Sequence, residues 1–332
     1  MPASQEPNAH SRVLPGMVAW DRAEGKARPP MDLSVVIPTY NQADLLKESL
    51  RSLVDQILSH GAYEIVVVDD GSTDHTATVL REFGPPVRVV RLPTNRGRSA
   101  ARNTGIRAAG APLVALVDSD IIVRRDFLST HLEAHRRHGD GILSRGPVID
   151  VSDVATARNG QLPKLVSSPA YLTTANVALA KDALVRAGLF DEHFPGYGWE
   201  DFDLGLRLKR LGIKRVFCRQ AVAFHVDPNQ DRSDRMGDLL AKEASRAASA
   251  VYFYRKHPTL EARWLIQATR LHRVLYWLQT GFGRITPDNA GQIATSLRRT
   301  GRPGLARILV RGVLNRAYLQ ALESALIHRG RS

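Results

Sequence analysis

Two carboxylates one residue apart, Asp118 and Asp120, follow the apolar run Val114–Val117. A run of that length between turn residues reads as a buried strand, so the pair falls at a strand's carboxyl end. Open α/β sheets hold their ligands at that edge. Hard oxygen donors with room left for a phosphate suit Mg²⁺ or Mn²⁺. Paired Asp residues at strand ends also form turns and helix caps, so the motif alone is ambiguous. A second acidic pair, Glu200-Asp201, opens a helical pattern and offers a proton acceptor, although helix starts are commonly acid-rich. His225, after the apolar stretch Ala221–Phe224, is an imidazole that either packs or ligates.

The elements that must position these groups alternate. Leu33–Ile37, Glu64–Val68, Val87–Leu92 and Leu113–Val117 are short, β-branched, nearly continuous apolar runs. Between them lie helical patterns. The first repeats Leu46, Leu50, Leu53 and Ile57 behind an Asn41 cap, the second follows Gly71–Asp74, and the third runs from Arg98 to Ala109. Strand and helix in alternation predict a parallel sheet with right-handed crossovers. Beyond Asp120 we expect a helix over Phe127–His138, strands and loops over Gly139–Pro169, and a helix over Asp201–Leu211. Strands at Arg215–Cys218 and Ala221–His225 come next. After Asp231 the pattern is helical, broken at Lys256–Pro258, Thr286-Pro287 and Gly301–Gly304.

The loops between these elements carry a constellation. The first strand ends in Ile37-Pro38-Thr39-Tyr40-Asn41, the second in Val68-Asp69-Asp70-Gly71-Ser72. The turn Asn95-Arg96-Gly97-Arg98 precedes the third helix, and Asp118-Ser119-Asp120 ends the fourth strand. All four fall on one rim, which offers Tyr40 for stacking, Asp70 for a base, Arg98 for charge and Asp120 for a metal.

In this order the pieces resemble the family 2 glycosyltransferases of the GT-A fold, over roughly residues 32–228. The resemblance implies an α/β, Rossmann-like, mostly parallel sheet flanked by helices. It also implies a nucleotide-sugar site in which Pro38, Tyr40 and Asp70 flank the base, Asp118 and Ser119 meet the ribose or sugar, and Arg98 meets the diphosphate. Asp120 would hold Mn²⁺ or Mg²⁺, completed by His225 as the late histidine of many GT-A enzymes.

Phe190–Leu204 looks like the acceptor-side motif of the galactosyltransferase-like branch, with Glu200-Asp201 at its helix start. Asp201 is then the candidate base, with Glu200 orienting the acceptor or sharing the proton. The preceding Tyr197-Gly198-Trp199 would suit a loop that closes over donor, and Trp199 stands where that pattern usually has glycine. Thr173–Ala178 resembles a small polar strand near the donor sugar, which brings in Thr174 or Asn176. A carboxylate at Asp201 favours inversion, since retaining relatives often carry an amide there.

Composition narrows the classes. The 332 residues are 43% hydrophobic and 24% charged, with one cysteine, Cys218, which leaves no disulfide framework or thiolate cluster. Residues 1–30 lack hydrophobic periodicity and a signal-peptide core, and read as a disordered or weakly docked arm. Residues 31–230 would be the GT-A domain and 231–332 a basic helical region, with the boundary near Asp227–Asp231. That last region holds 18 Lys/Arg against 7 Asp/Glu, or +11 of the chain's net +13. We expect a cytoplasmic protein, free or peripheral at the inner face of the cell membrane, since Tyr252, Tyr254, Trp264 and Trp277 interleave with arginines.

The expected function is transfer of a sugar from a nucleotide diphosphate sugar, UDP by family default, to a hydroxyl of a glycan or lipid-linked acceptor, as in cell-envelope polysaccharide synthesis. Alternatives are a sugar-phosphate nucleotidyltransferase, which would want a Gly-rich basic loop that Pro38–Asn41 is not, and a non-catalytic binder of nucleotide sugar or nucleic acid. Helical amphipathicity explains the tail's aromatics more simply than nucleic acid does.

Overall fold

The computed structural model describes residues 18–20, 31–58, 60–160, 171–228 and 236–328. The chain forms two compact units. The first comprises residues 1–190 and 207–227, the second residues 191–206 and 228–332. The segment 191–206, expected within the α/β part, therefore packs with the C-terminal helices. The proposed boundary and most of the N-terminal arm lie outside the described residues. Within that arm Val18–Trp20 (β1) is a strand, paired antiparallel with β4 (Val87–Arg91).

The first unit is built on an eight-stranded sheet of order β1-β4-β3-β2-β5-β9-β7-β10. Its parallel centre is β4, β3 (Tyr63–Asp69), β2 (Leu33–Thr39) and β5 (Leu113–Leu116). β9 (Val177–Ala180) runs antiparallel between β5 and β7 (Ile142–Arg145), and β10 (Lys214–Phe217) closes the edge. The unbroken apolar runs of β2, β3 and β5 follow from helices on both faces: nearly every residue of these strands is buried.

Helix α1 (Ala43–Val54) buries Leu46, Leu50 and Leu53, each contributing about 2 kcal/mol by leaving water. Ile57, assigned to the same stripe, lies past the helix end and is exposed. The helix is capped at Gln42, not Asn41. Asn41 takes φ +51°, a left-handed conformation that asparagine tolerates, and turns its side chain to the next loop. Helices α2 (Thr76–Arg81) and α3 (Arg98–Ala108) follow. α3 approaches β2 so closely that a Cβ on Gly105 would lie 2.3 Å from Val36 Cγ1.

A second sheet was not legible in the sequence. β6 (Ile121–Val123) pairs antiparallel with β11 (Ala223–Val226), which pairs parallel with β8 (Val148–Val151). Helices α4 (Phe127–His138), α5 (Val154–Asn159, capped by Asp153) and α6 (Lys181–Arg186) complete the unit. α5 corrects the expectation of strands and loops alone over Gly139–Pro169.

Helix α7 (Glu200–Arg210) begins in the second unit and ends in the first. From residue 236 on, the described residues of the second unit form five helices: α8 (Met236–Lys256), α9 (Leu260–Leu265), α10 (Arg270–Gln279), α11 (Pro287–Arg299) and α12 (Pro303–His328). Trp199, Phe253, Ile266, Tyr276, Tyr318 and Leu322 share its main core. Thr259 caps α9 and Thr269 caps α10 through their side-chain oxygens. Among the described residues no helix is long and apolar enough to cross a membrane.

Candidate nucleotide-sugar site

Because β3, β2 and β5 are neighbours and parallel, their carboxyl ends share one rim, and hydrogen bonds tie the loops there together. Asn41 donates its N–H to Ser72 Oγ at 3.0 Å, and its Oδ1 accepts the Thr73 N–H at 2.8 Å. Asp69 Oδ1 accepts the Ser72 N–H at 2.9 Å. Pro38 is half-buried near the end of β2, and Tyr40 is exposed beyond it. That placement leaves the Tyr40 ring available for stacking.

Asp70 holds the neighbouring turn. Its Oδ1 accepts the Arg96 N–H and its Oδ2 the Gly97 N–H, both at 2.8 Å. The residue is buried, and burial raises its carboxyl above the usual carboxylate range against the pull of those two amides. Asp70 is thus the cradle of the Asn95–Arg98 turn. Gly71 makes the approach possible: at φ +74° a Cβ would lie 2.7 Å from the Thr94 carbonyl carbon. The turn delivers Arg98, exposed, to the first position of α3.

At the end of β5, Asp118 Oδ1 accepts from Arg102 Nη2 at 2.7 Å. Arg102 is buried and places its guanidinium 5.5 Å from the Phe190 ring centroid. Sequence reasoning missed it, although it lies one helical turn after Arg98 on the same helix. Ser119 donates its hydroxyl to Gln42 Oε1. Asp120 is the more shielded member of the pair. Its Oδ1 is buried and has no hydrogen-bond partner among the described residues, and its Oδ2 lies 3.3 Å from His225 Nε2.

The small sheet brings His225 there: in its register His225 stands opposite Ile121 on one side and Asp150 on the other. Asp150 Oδ1, 2.9 Å from His225 Nδ1, fixes the ring with Nε2 toward Asp120. Bonding to Asp120 and then to Asp150 pushes the imidazole pKa up to about 10. A carboxylate on the far ring nitrogen is the usual support of a metal-ligating histidine. Asp150 gave no signal in the sequence, being one acid on a short strand.

Among the described residues no group of three or more His, Cys, Asp or Glu is arranged to enclose a metal ion. The pair Asp120 and His225 fits instead an open site, in which phosphate oxygens and water supply the other ligands. The unpartnered Asp120 Oδ1 is the observation that supports the fit.

Two expectations near β9 are corrected. Residues 173–176 form a turn, not a strand. Asn176 is fully buried: Oδ1 accepts the Gly146 N–H at 3.2 Å and faces His131 Nε2 at 3.1 Å, while Nδ2 donates to the Pro147 and Ala221 carbonyls. Every hydrogen-bonding position of its amide is used, which leaves none for a sugar. Thr174 is also buried.

In the second unit the acids of the α7 start separate. Asp203 is fully buried, 2.7 Å from His257 Nε2 and 3.1 Å from Lys256 Nζ. Lys256 also bonds Asp191. Burial raises that carboxyl, but Lys256, the His193 backbone N–H and the His193 ring hold it well below the usual carboxylate range. Glu200 is buried, whereas Asp201 is half-buried with Oδ1 accepting the Phe202 N–H at 2.8 Å. Asp201 is thus the more exposed of the two acids.

Trp199 packs inward. Its indole donates to the Arg246 carbonyl at 3.1 Å, and its ring packs on Phe202 and Phe253. Its φ of +75° explains why glycine is the usual occupant, and burial of the indole offsets the strain. Tyr197 is held by Ser245 Oγ, which accepts its N–H at 2.9 Å, and Lys242 Nζ lies 4.2 Å from its ring centroid.

Residues 34–188 match the family model described as Glycosyl transferase family 2. The chain is 31% identical over 274 residues to validoxylamine A glucosyltransferase of Streptomyces hygroscopicus subsp. jinggangensis, covering 70% of this chain and 63% of that protein. It is 27% identical to chondroitin synthase of Escherichia coli, covering 70% of this chain but 40% of the relative. The chain thus spans less than two thirds of the length of these curated relatives. Among solved structures it resembles the mannosyltransferase PcManGT of Pyrobaculum calidifontis, with TM-score 0.54 and 19% identity over 90% of this chain and 88% of that one. Sheet order, rim and family match agree: residues 34–188 match the glycosyl transferase family 2 model and lie in a unit with the GT-A fold.

Proposed function

We propose that this protein is an inverting glycosyltransferase that moves a sugar from a nucleoside diphosphate sugar, with UDP the expected carrier, to a hydroxyl of a glycan or lipid-linked acceptor. The observation that carries the reading is the Asp118, Asp120 and His225 cluster at the carboxyl rim of the parallel sheet, with a buried Asp120 oxygen lacking a partner among the described residues. The relatives named for glucosyl transfer and chondroitin synthesis, and a neighbour solved with GDP-Man and Mn²⁺, support it.

Pro38 and Tyr40 would hold the base, with Asp70 shaping their pocket through the Asn95–Arg98 turn. Asp118, oriented by Arg102, would accept hydroxyl hydrogens of ribose or sugar, and Arg98 would neutralise phosphate. Asp120 and His225 would hold Mn²⁺ or Mg²⁺, whose bound charge lowers the cost of the departing diphosphate. Asp201 would take the acceptor proton as the new bond to the anomeric carbon forms. Its assignment rests on its motif and on its greater exposure than Glu200.

Nucleotide release from a panel of UDP-, GDP- and dTDP-sugars, with Mn²⁺ and with EDTA, tests the reading. Metal-dependent hydrolysis of one donor is expected. Neither release nor donor binding for any of them would overturn it. Asp201→Asn should bind donor normally and lose about 10²-fold or more in transfer.

A further inference from the structure

We propose that the exposed face of α10 is an interfacial surface that seats on an anionic lipid bilayer. Leu271, Val274, Leu275 and Leu278 recur at i, i+3, i+4 and i+7, so they share one helix face. A globular helix ordinarily turns such a stripe to the core, but here it is 45–61% exposed. Trp277 and Phe282 stand beside it, at 46% and 62%. What holds the helix to its unit is the other side, where Tyr276 is buried and donates to Gln267 Oε1 at 2.8 Å. Trp264 on α9 adds a further exposed indole. A contiguous apolar face of this kind marks an interaction surface.

Charge identifies the partner. Residues 260–285 contain four arginines and one glutamate, and Arg263, Arg270, Arg273 and Arg284 are all exposed. A groove of 360 Å³ beside the stripe is lined by Val274, Trp277 and Leu319 together with Arg273, Arg316 and Glu323; Glu323 pairs with Arg273, which leaves Arg263, Arg270 and Arg284 as the main positive charges of this surface. Leucines flanked by tryptophan and arginine suit the boundary between acyl chains and anionic headgroups. A second copy of this chain fits less well, because a two-fold contact through the stripe would face the same arginines against each other. The inference rests on this surface alone and is independent of the sugar chemistry.

The test is flotation of the full chain with phosphatidylglycerol/phosphatidylcholine vesicles and with phosphatidylcholine vesicles, read alongside tryptophan emission. Binding to the anionic vesicles at low salt is expected, weakened about tenfold or more in roughly 0.5 M salt. A blue shift and quenching by brominated acyl chains should accompany it. Leu275→Asp with Leu278→Asp, both at exposed positions, should reduce vesicle affinity about tenfold or more with an unchanged circular dichroism spectrum. Trp277→Ala should diminish the blue shift. No binding by the full chain at low salt, or equal binding by the double variant, would overturn the proposal. So would a dimer in sedimentation velocity that the double variant abolishes while vesicles fail to bind, since the occupant would then be a second copy.

Discussion

His131 makes the stability of the α/β unit depend on pH in a way that can be worked out. The ring is fully buried on α4, with Nδ1 2.8 Å from Ser144 Oγ and Nε2 3.1 Å from Asn176 Oδ1. Asn176 is oriented by the two carbonyls its Nδ2 serves, so its Oδ1 faces His131 and requires a hydrogen on Nε2. The neutral ring fits, and burial depresses its pKa from 6.5 to about 4. Between those values the unfolded chain binds the proton and the folded one does not, so stability rises with pH across that window. The contribution present above pH 6.5 falls by about 2 kcal/mol by pH 5 and about 3 kcal/mol by pH 4. His131→Phe removes the titration at a cost of about 1–3 kcal/mol at neutral pH, because Ser144 and Asn176 each lose one partner. Urea unfolding of both proteins at pH 7, 6, 5 and 4 cancels groups common to the two. The wild-type advantage should shrink steadily on acidification and close between about pH 6 and pH 4, according to where in that range the neutral-pH cost falls. Parallel pH profiles would refute the reasoning.

Three other perturbations follow from the same geometry. Asn176→Asp sets a carboxylate oxygen against the Pro147 and Ala221 carbonyls, now 2.9 and 2.7 Å from a donor, and should cost about 3 kcal/mol or more in urea unfolding. Gly71→Ala forces φ +74° on a Cβ that meets the Thr94 backbone at 2.7 Å. It should destabilise the chain by about 2 kcal/mol or more and weaken donor binding by calorimetry, since the turn that Asp70 holds must shift. Asp150→Asn, at a side chain 77% exposed, should leave the melting temperature in place while lowering Mn²⁺ affinity about tenfold in a paramagnetic-resonance titration. An unchanged affinity would show that Asp150 does not orient His225.

The parallel centre of the fold was readable because its strands are buried on both faces and therefore run apolar without alternation, as in Ile65–Val68 and Leu113–Leu116. Helix α1 was readable from its leucine spacing, and the C-terminal helices from the breaks at Pro258, Pro287 and Gly301–Gly304. The strands β6 and β8 and the helix α5 were not, because three- and four-residue strands and a two-turn helix carry too little periodicity to register. The same limit applies to Trp199, whose left-handed backbone has no local signature when the residue is not glycine.

Residue type and order alone placed Asp118, Asp120, Asp70 and the Asn95–Arg98 turn at one rim, since strand carboxyl ends in a parallel sheet must share an edge. What each side chain does there depended on neighbours distant in the chain. Asp70 is occupied by amides 26 and 27 residues away, Asn176 by groups on three other segments, and Trp199 by the helical core of the second unit. His225 meets Asp120 and Asp150 because a small sheet aligns three strands separated by as many as 105 and 75 residues. Local pattern reports the periodicity of burial, whereas hydrogen-bond satisfaction is a property of groups that only long-range packing brings within 3 Å.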